Sequence, residues 1–325
     1  MESLSRTRAT LFLAVTGLGA AVIVSWFFLT KRRRNRSLRK VGEVSHLFLY
    51  PVKSCRGTSI PEAECKPFGL QSGNLKDRHW LVVKENKVHV TARQEPQMVL
   101  IMASWDKDKL TLRAPEMEHL QIPLKLPSSN GIFTCKVHGN EVCGRDCGDK
   151  ASQWITSFLK SKEVYRLVQF EDNMKPRNPK NEYEKYTDHD KVAYPDLSPL
   201  LLLSEASVDN LNTKLQKMVT IRNFRPNIVV TGCEAHEEDS WEEVQIGTSV
   251  TLKRVMPCPR CILTTVNPDT GVIDMKEPLE TMRSYRLHNP LDQGNFKMSP
   301  LFGQYVRIQQ TGIIKVGDPV YQITY

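Results

Sequence analysis

Short apolar runs follow one another from Gly42 almost to the end of the chain, each stopped by a proline, a glycine or a charged turn. Such punctuation leaves little room for long helices and points to a β-rich sandwich or barrel. His46–Tyr50 is stopped by Pro51. Asp77–Val83 runs to a turn at Glu85–Lys87 and on into Val88–Thr91. Val99–Trp105, Lys109–Arg113, His119–Leu126, Gly131–His138 and Glu163–Phe170 continue the series. The second half adds Leu200–Leu203, Ile228–Thr231, Trp241–Ile246, Val250–Val255, Gly303–Ile308 and Ile313–Tyr321. Three stretches read as helices. Asp149–Leu159 places Trp154, Ile155, Phe158 and Leu159 on one face. Val208–Met218 follows a cap at Ser204 or Ser207, and Glu280–Leu287 is the third. Residues 171–193 are polar without periodicity and read as a long loop, either a lid or interaction surface or a plain exposed connection.

The net charge of +9 is unevenly spread. Nine lysines and arginines against Glu2 lie in residues 1–40, so eight of the nine excess charges belong there. A nucleic-acid binder would carry its basic footprint on the folded body, and nucleic acid is therefore set aside. Leu11–Thr30 has no charged residue and is long enough to span a bilayer as a helix. Trp26, Phe27 and Phe28 near its end suit the interface, and the basic cluster Lys31–Arg36 follows. A secretory signal has its charge before the apolar core and small residues after it; this segment shows the reverse. It reads as an uncleaved single transmembrane anchor with the body of the chain in the cytosol, and residues 31–41 as a basic linker.

Eight cysteines in a cytosolic chain are reduced thiols, and a close pair among them is a metal or catalytic candidate. Cys258 and Cys261 form C-x-x-C with Arg260 between them, ahead of the β-prone run Ile262–Val266. Four readings stay open on spacing alone. Zinc would need a second pair, for which Cys143 and Cys147 are available. A redox dithiol would need a helix start, which Pro257 and Pro259 disfavour. Two inert buried thiols are the plain reading. The fourth is a single thiolate ligand, since a soft thiolate suits a soft or high-valent metal. Lys53, Arg78, Arg225 and Arg260 lie in loops beside hydroxyl, amide or proline neighbours, where a guanidinium fork can grip phosphate or carbonyl groups. Any one of them alone reads as a surface ion pair.

Seven segments together are more specific: Tyr50-Pro-Val-Lys-Ser54, Lys76-Asp-Arg-His-Trp80, Asn223-Phe-Arg-Pro-Asn227, Arg260-Cys-Ile-Leu-Thr-Thr265, Asp269-Thr-Gly271, Pro300-Leu-Phe-Gly-Gln-Tyr305 and Val316-Gly-Asp-Pro319. In this order they resemble the MOSC family over nearly all of the chain after residue 42, and in particular the second of two vertebrate paralogues in its membrane-anchored branch. The resemblance implies an α+β, β-rich fold. A MOSC N-terminal β-barrel-like region, residues 42–170, would pack on a MOSC β-barrel domain, residues 171–325, behind the anchor of residues 1–41.

It also implies a molybdenum oxidoreductase with a molybdopterin cofactor. Cys261 would be the metal ligand and catalytic residue. Lys53, Ser54 and Arg78 would hold the cofactor from the N-terminal region, and Ser198, Arg225, Asn227, Arg260 and Tyr305 from the MOSC domain. Cys258 would be a neighbour without ligand duty. The activity implied is reduction of N-hydroxylated compounds (amidoximes, hydroxylamines, N-hydroxyguanidines, N-hydroxylated bases, and nitrite as a further candidate). Electrons would come from NADH through cytochrome b5 reductase and cytochrome b5. The implied location is the outer mitochondrial membrane facing the cytosol, with the peroxisome as a second one. The alternatives are a cofactor or sulfur carrier and a non-enzymatic membrane-tethered binding module.

Overall fold

The structure is a computed structural model that describes residues 36–137, 139–181, 183–287 and 298–325. The expected anchor at Leu11–Thr30 lies outside these residues. No helix among the described residues is long and apolar enough to cross a membrane. The main body is Lys40–Gln322, and the short ends 36–39 and 323–325 form a small separate unit.

The largest sheet closes on itself. Its order is Ile228–Thr231, Leu200–Ser204, Leu301–Gln310, Val250–Pro259, Glu243–Ile246, Pro319–Thr324 and Ser37–Leu49, and the last strand pairs back onto the first. Seven strands thus make a barrel, with Thr58–Ile60 added outside Ser37–Leu49. Leu47, Ile228, Leu202, Leu252, Val306, Ile246 and Val320 are buried together inside it. Alternating apolar positions on each strand supply that interior, as a closed sheet requires. The strands Leu200–Ser204 and Ile228–Thr231 pair in parallel, Leu202↔Ile228 through Ser204↔Val230, and are joined by the crossover helix Glu205–Asn212. A parallel pair needs such a crossover. Ser204 caps this helix, its Oγ accepting from the Ser207 amide at 3.2 Å.

Residues 62–169, with one strand from residues 312–315, build three smaller sheets. Ile132–Val137, Asn140–Asp146, Tyr165–Gln169 and Trp80–Lys84 form one, and Met102–Asp106, Lys109–Arg113 and Leu120–Pro123 another. The third joins Gly312–Lys315 from the far end of the chain to Glu62–Lys66, Gly69–Ser72 and Leu75–Lys76. The helix Asp149–Phe158 buries Trp154 and Ile155, and Ser152 Oγ donates to Tyr165 O at 2.7 Å.

Several expected elements differ, for local reasons. Ile262–Thr265 is a 3₁₀ turn, not a strand. Thr264 Oγ1 donates to Cys261 O at 2.9 Å and Thr265 Oγ1 to Ile262 O at 2.8 Å. Such back-bonding by threonine competes with extended pairing. The strand instead precedes the cysteines: Val250–Pro259 runs through both prolines, because its register shifts between Arg254 and Met256 and again between Pro257 and Pro259. Bulges are where a strand tolerates proline.

Val88–Thr91 makes only isolated bridges, and Val99–Leu100 belongs to a 3₁₀ turn begun by Pro96. Val316–Asp318 splits the expected last strand, with Gly317 at φ 91°. The linker ends early, since pairing begins at Ser37. The strand Asn140–Asp146 was hidden by its polar side chains. The 171–193 segment is no plain exposed connection. Arg177, Tyr186 and Asp190 within it are buried. Arg177 Nη2 donates to Pro195 O and Asp196 O, and Arg307 Nη1 to Asp190 at 2.7 Å.

Candidate active site

All nine residues singled out in the sequence line one open cleft of about 790 Å³ at an end of the barrel. The strand ends deliver them. Val250–Pro259 leads into Arg260 and Cys261, and Ser37–Leu49 leads toward Lys53 and Ser54. Ile228–Thr231 is preceded by Arg225 and Asn227, Leu200–Ser204 by Ser198, and Leu301–Gln310 carries Tyr305. Arg78 enters on the loop before Trp80–Lys84. Three of the nine, Ser54, Arg78 and Arg225, have positive φ of 69°, 49° and 56°. Non-glycine residues avoid this region unless the surroundings force it.

The cations are placed by buried partners. Asp77 is fully buried; its Oδ1 accepts from the Tyr50 amide at 2.8 Å and from Asn227 Nδ2 at 3.0 Å, and its Oδ2 pairs with Arg78. Arg78 Nη1 also reaches Asn227 Oδ1 at 3.0 Å. The guanidinium groups of Arg78 and Arg225 lie 4.7 and 4.4 Å from the Tyr50 ring centre, inside cation–π range. Burial works against the charge of Arg78, yet Asp77 and Tyr50 hold its pKa above the ordinary value. Arg225 is lowered by burial. Lys53 is also lowered by burial, against the pull of Asp196; its Nζ donates to Tyr194 O at 2.8 Å and pairs with Asp196. Arg260 donates through Nε to Phe302 O at 2.7 Å and through Nη1 to Phe224 O at 2.9 Å.

Two buried guanidinium nitrogens of the cleft, Arg225 Nη2 and Arg260 Nη2, have no hydrogen-bond partner among the described residues. Buried donors are almost always satisfied. Two unsatisfied cationic donors in one cleft mark a place for an anionic, hydrogen-bond-accepting ligand. A pterin carrying a phosphate fits that donor set.

The two cysteines differ sharply. Cys258 is buried, and burial raises its thiol pKa, partly offset by Arg260. Cys261 is exposed at the cleft surface. Asn223 fixes the turn behind it, donating through Nδ2 to Thr264 O at 3.1 Å and Val266 O at 3.3 Å. Among the described residues no group of three or more His, Cys, Asp or Glu could hold a metal ion, so the four-cysteine zinc arrangement is not assembled.

The residue reading missed Tyr50, Asp77, Asp196, Asn223, Gly303 and Arg93 as parts of the site. Tyr50, Asp77, Asn223 and Gly303 stand inside the quoted segments, so adjacency to a named cation was the available signal. Arg93 and Asp196 carried none. Asp269, also in a quoted segment, lies outside the cleft lining and pairs with Arg222 and Arg56.

Comparison with known proteins identifies the family. The MOSC N-terminal beta barrel domain matches residues 41–162 and the MOSC domain residues 189–321. The chain is 56% identical over 290 residues to mitochondrial amidoxime reducing component 2 of Bos taurus, covering 89% of this chain and 86% of that protein. It is 53% identical over 313 residues to mitochondrial amidoxime-reducing component 1 of Homo sapiens, covering 96% and 91%. For component 2 of Homo sapiens the values are 52% over 316 residues, 96% and 93%. Relatives of both numbered kinds match nearly equally, so identity does not separate the paralogues. With both domains matched in order and relatives above 50% identity along most of its length, the chain belongs to the MOSC-domain family of mitochondrial amidoxime-reducing components.

Proposed function

We propose that this chain is a molybdenum-cofactor-dependent reductase of N-hydroxylated compounds, amidoximes first among them. The observation that carries the reading is the meeting, in one cleft, of the exposed Cys261 with two buried guanidinium donors that lack partners. When bound, molybdopterin supplies a metal that takes up electrons singly and delivers them in pairs. Cys261 would ligate the metal as a thiolate. Lys53, Ser54, Arg78, Ser198, Arg225, Asn227, Arg260 and Tyr305 would grip the pterin and its phosphate. Arg225 Nη2 and Arg260 Nη2 would then gain acceptors, and Asn223 keeps the cysteine turn in place. Each turnover breaks one N–O bond, consumes two electrons and two protons, and releases the amine or amidine and water.

The electrons would pass from NADH through cytochrome b5 reductase to cytochrome b5 and then to this chain. Residues 1–41 would anchor it in the outer mitochondrial membrane, a peroxisomal pool being a second location, with the cleft in the cytosol. A shared membrane raises the effective concentration of donor and acceptor. Residues 42–170 would form the N-terminal barrel-like region packed on the MOSC domain of residues 171–325.

The test uses the full-length chain in detergent, made in a host that synthesises molybdopterin. Molybdenum near one per chain, with benzamidoxime reduced in the presence of NADH, cytochrome b5 and its reductase, is the expected result. A chain that carries zinc and no molybdenum, and reduces nothing, would refute it.

A further inference from the structure

One cation of the cleft plays no part in the cofactor set. Arg93 is exposed and lines the cleft together with the exposed Cys261, whereas Arg260 and Lys53 in the same lining are buried. A closed turn presents it. Thr91 O accepts from the amides of Gln94 and Glu95 at 2.9 and 3.0 Å, and Gln94 Oε1 accepts from the Thr91 amide at 2.9 Å and its hydroxyl at 2.6 Å.

The Arg93 backbone amide and Nε both reach the Thr91 hydroxyl at 3.4 Å, the outer limit of a hydrogen bond. Among the described residues no carboxylate pairs with Arg93. Glu95, two residues on, accepts from the Tyr165 hydroxyl at 2.6 Å. Asp196, the one acidic side chain in the cleft lining among the described residues, is taken by Lys53. A guanidinium on a hydrogen-bonded turn, with no carboxylate partner among the described residues, in the same cleft as Cys261, is suited to a carboxylate or phosphate on an incoming molecule.

We propose that Arg93 is a specificity-determining residue that selects N-hydroxylated substrates carrying a second, anionic group. The proposal rests on the reductase reading above and adds a substrate class to it. Arg93 faces solvent, so the expected effect is that of a screened ion pair rather than a buried one.

The experiment compares neutral benzamidoxime with para-carboxybenzamidoxime on the full-length, cofactor-loaded protein, for wild type, Arg93→Gln and Arg93→Lys. In Arg93→Gln the ratio of kcat/KM, anionic over neutral, should fall about two- to fivefold. Arg93→Lys should retain part of the preference. The wild-type preference should shrink as ionic strength rises. Calorimetric binding of the carboxylate compound to donor-free protein, where no turnover occurs, should weaken by the same factor. A ratio unmoved by Arg93→Gln would overturn the proposal, as would equal losses on both substrates. A drop in molybdenum content in Arg93→Gln would show that the residue holds the cofactor instead, and would also overturn it. If the wild type fails to reduce even benzamidoxime, the reductase reading falls and takes this proposal with it.

Discussion

Cys258 and Cys261 stand three residues apart in opposite environments, and a substitution at the exposed one should separate chemistry from folding. Cys261→Ser removes a side chain that packs little, so its unfolding free energy should stay within about 0.5 kcal/mol of wild type. Amidoxime reduction should fall by at least about a hundredfold, more than the loss of an outer-shell partner of a metal ligand. Steady-state rates beside a denaturant titration check both halves. His79 gives a second prediction. Its Nδ1 donates to Asp77 O at 2.8 Å, leaving Nε2 buried without a partner, and burial pulls its pKa down to about 4 from 6.5. The folded value lies below the unfolded one, so the stability that the neutral ring contributes is complete above pH 6.5 and fades as pH falls toward 4. The full loss is roughly 3 kcal/mol. Unfolding curves across that range should show a steeper decline for wild type than for His79→Gln, and equal slopes would show that His79 does not titrate with folding. In the sequence, residue types singled out Cys261 and the cations Lys53, Arg78, Arg225 and Arg260, and the family resemblance added Ser54, Ser198, Asn227 and Tyr305. Spacing could not show that they converge, because Lys53 and Tyr305 meet only through the folded barrel.

Strands and turns were legible where apolar side chains alternate and illegible where the backbone is held by something else. Leu200–Ser204 and Ile228–Thr231 match their apolar runs almost to the residue. The turn Ile262–Thr265 looked like a strand from its β-branched residues, but two threonine hydroxyls close it into a 3₁₀ turn. Gly303 shows a similar local demand. It sits in Leu301–Gln310 at φ 75°, and an added Cβ would lie 3.0 Å from Leu202 O and 3.2 Å from Arg260 Nη2. Neither the backbone angle nor the space suits alanine. Gly303→Ala should destabilise the protein by about 1–3 kcal/mol. It should also lower cofactor content, because Arg260 has to shift. Thermal unfolding together with molybdenum per chain would test this, and a variant with wild-type values of both would show that the strand absorbs the change.

At the scale of the whole molecule, the barrel is closed by a strand from the start of the chain pairing with one nearly two hundred residues later, Glu43↔Thr231 to Leu47↔Ile228. Local patterns announce a β-rich fold but not which distant strands pair, so closure was not legible without the resemblance. The same closure gathers positive charge at one end. Arg78 and Arg225 both face the Tyr50 ring, and among the described residues only Arg78 of the two has a carboxylate, Asp77, as partner. That arrangement is repulsive until an anion fills the cleft. A ligand that binds only the folded form stabilises it by mass action. The cofactor-free protein should therefore melt below the loaded one, and phosphate or sulfate should raise its melting temperature more than chloride at equal ionic strength. Sulfate also strengthens folding in general, so the decisive comparison is with Arg225→Gln. If the anions act in the cleft, the variant should gain less from phosphate and sulfate than the wild-type chain does. An equal gain in both proteins would place the effect in the solvent and leave the cleft without an anion site.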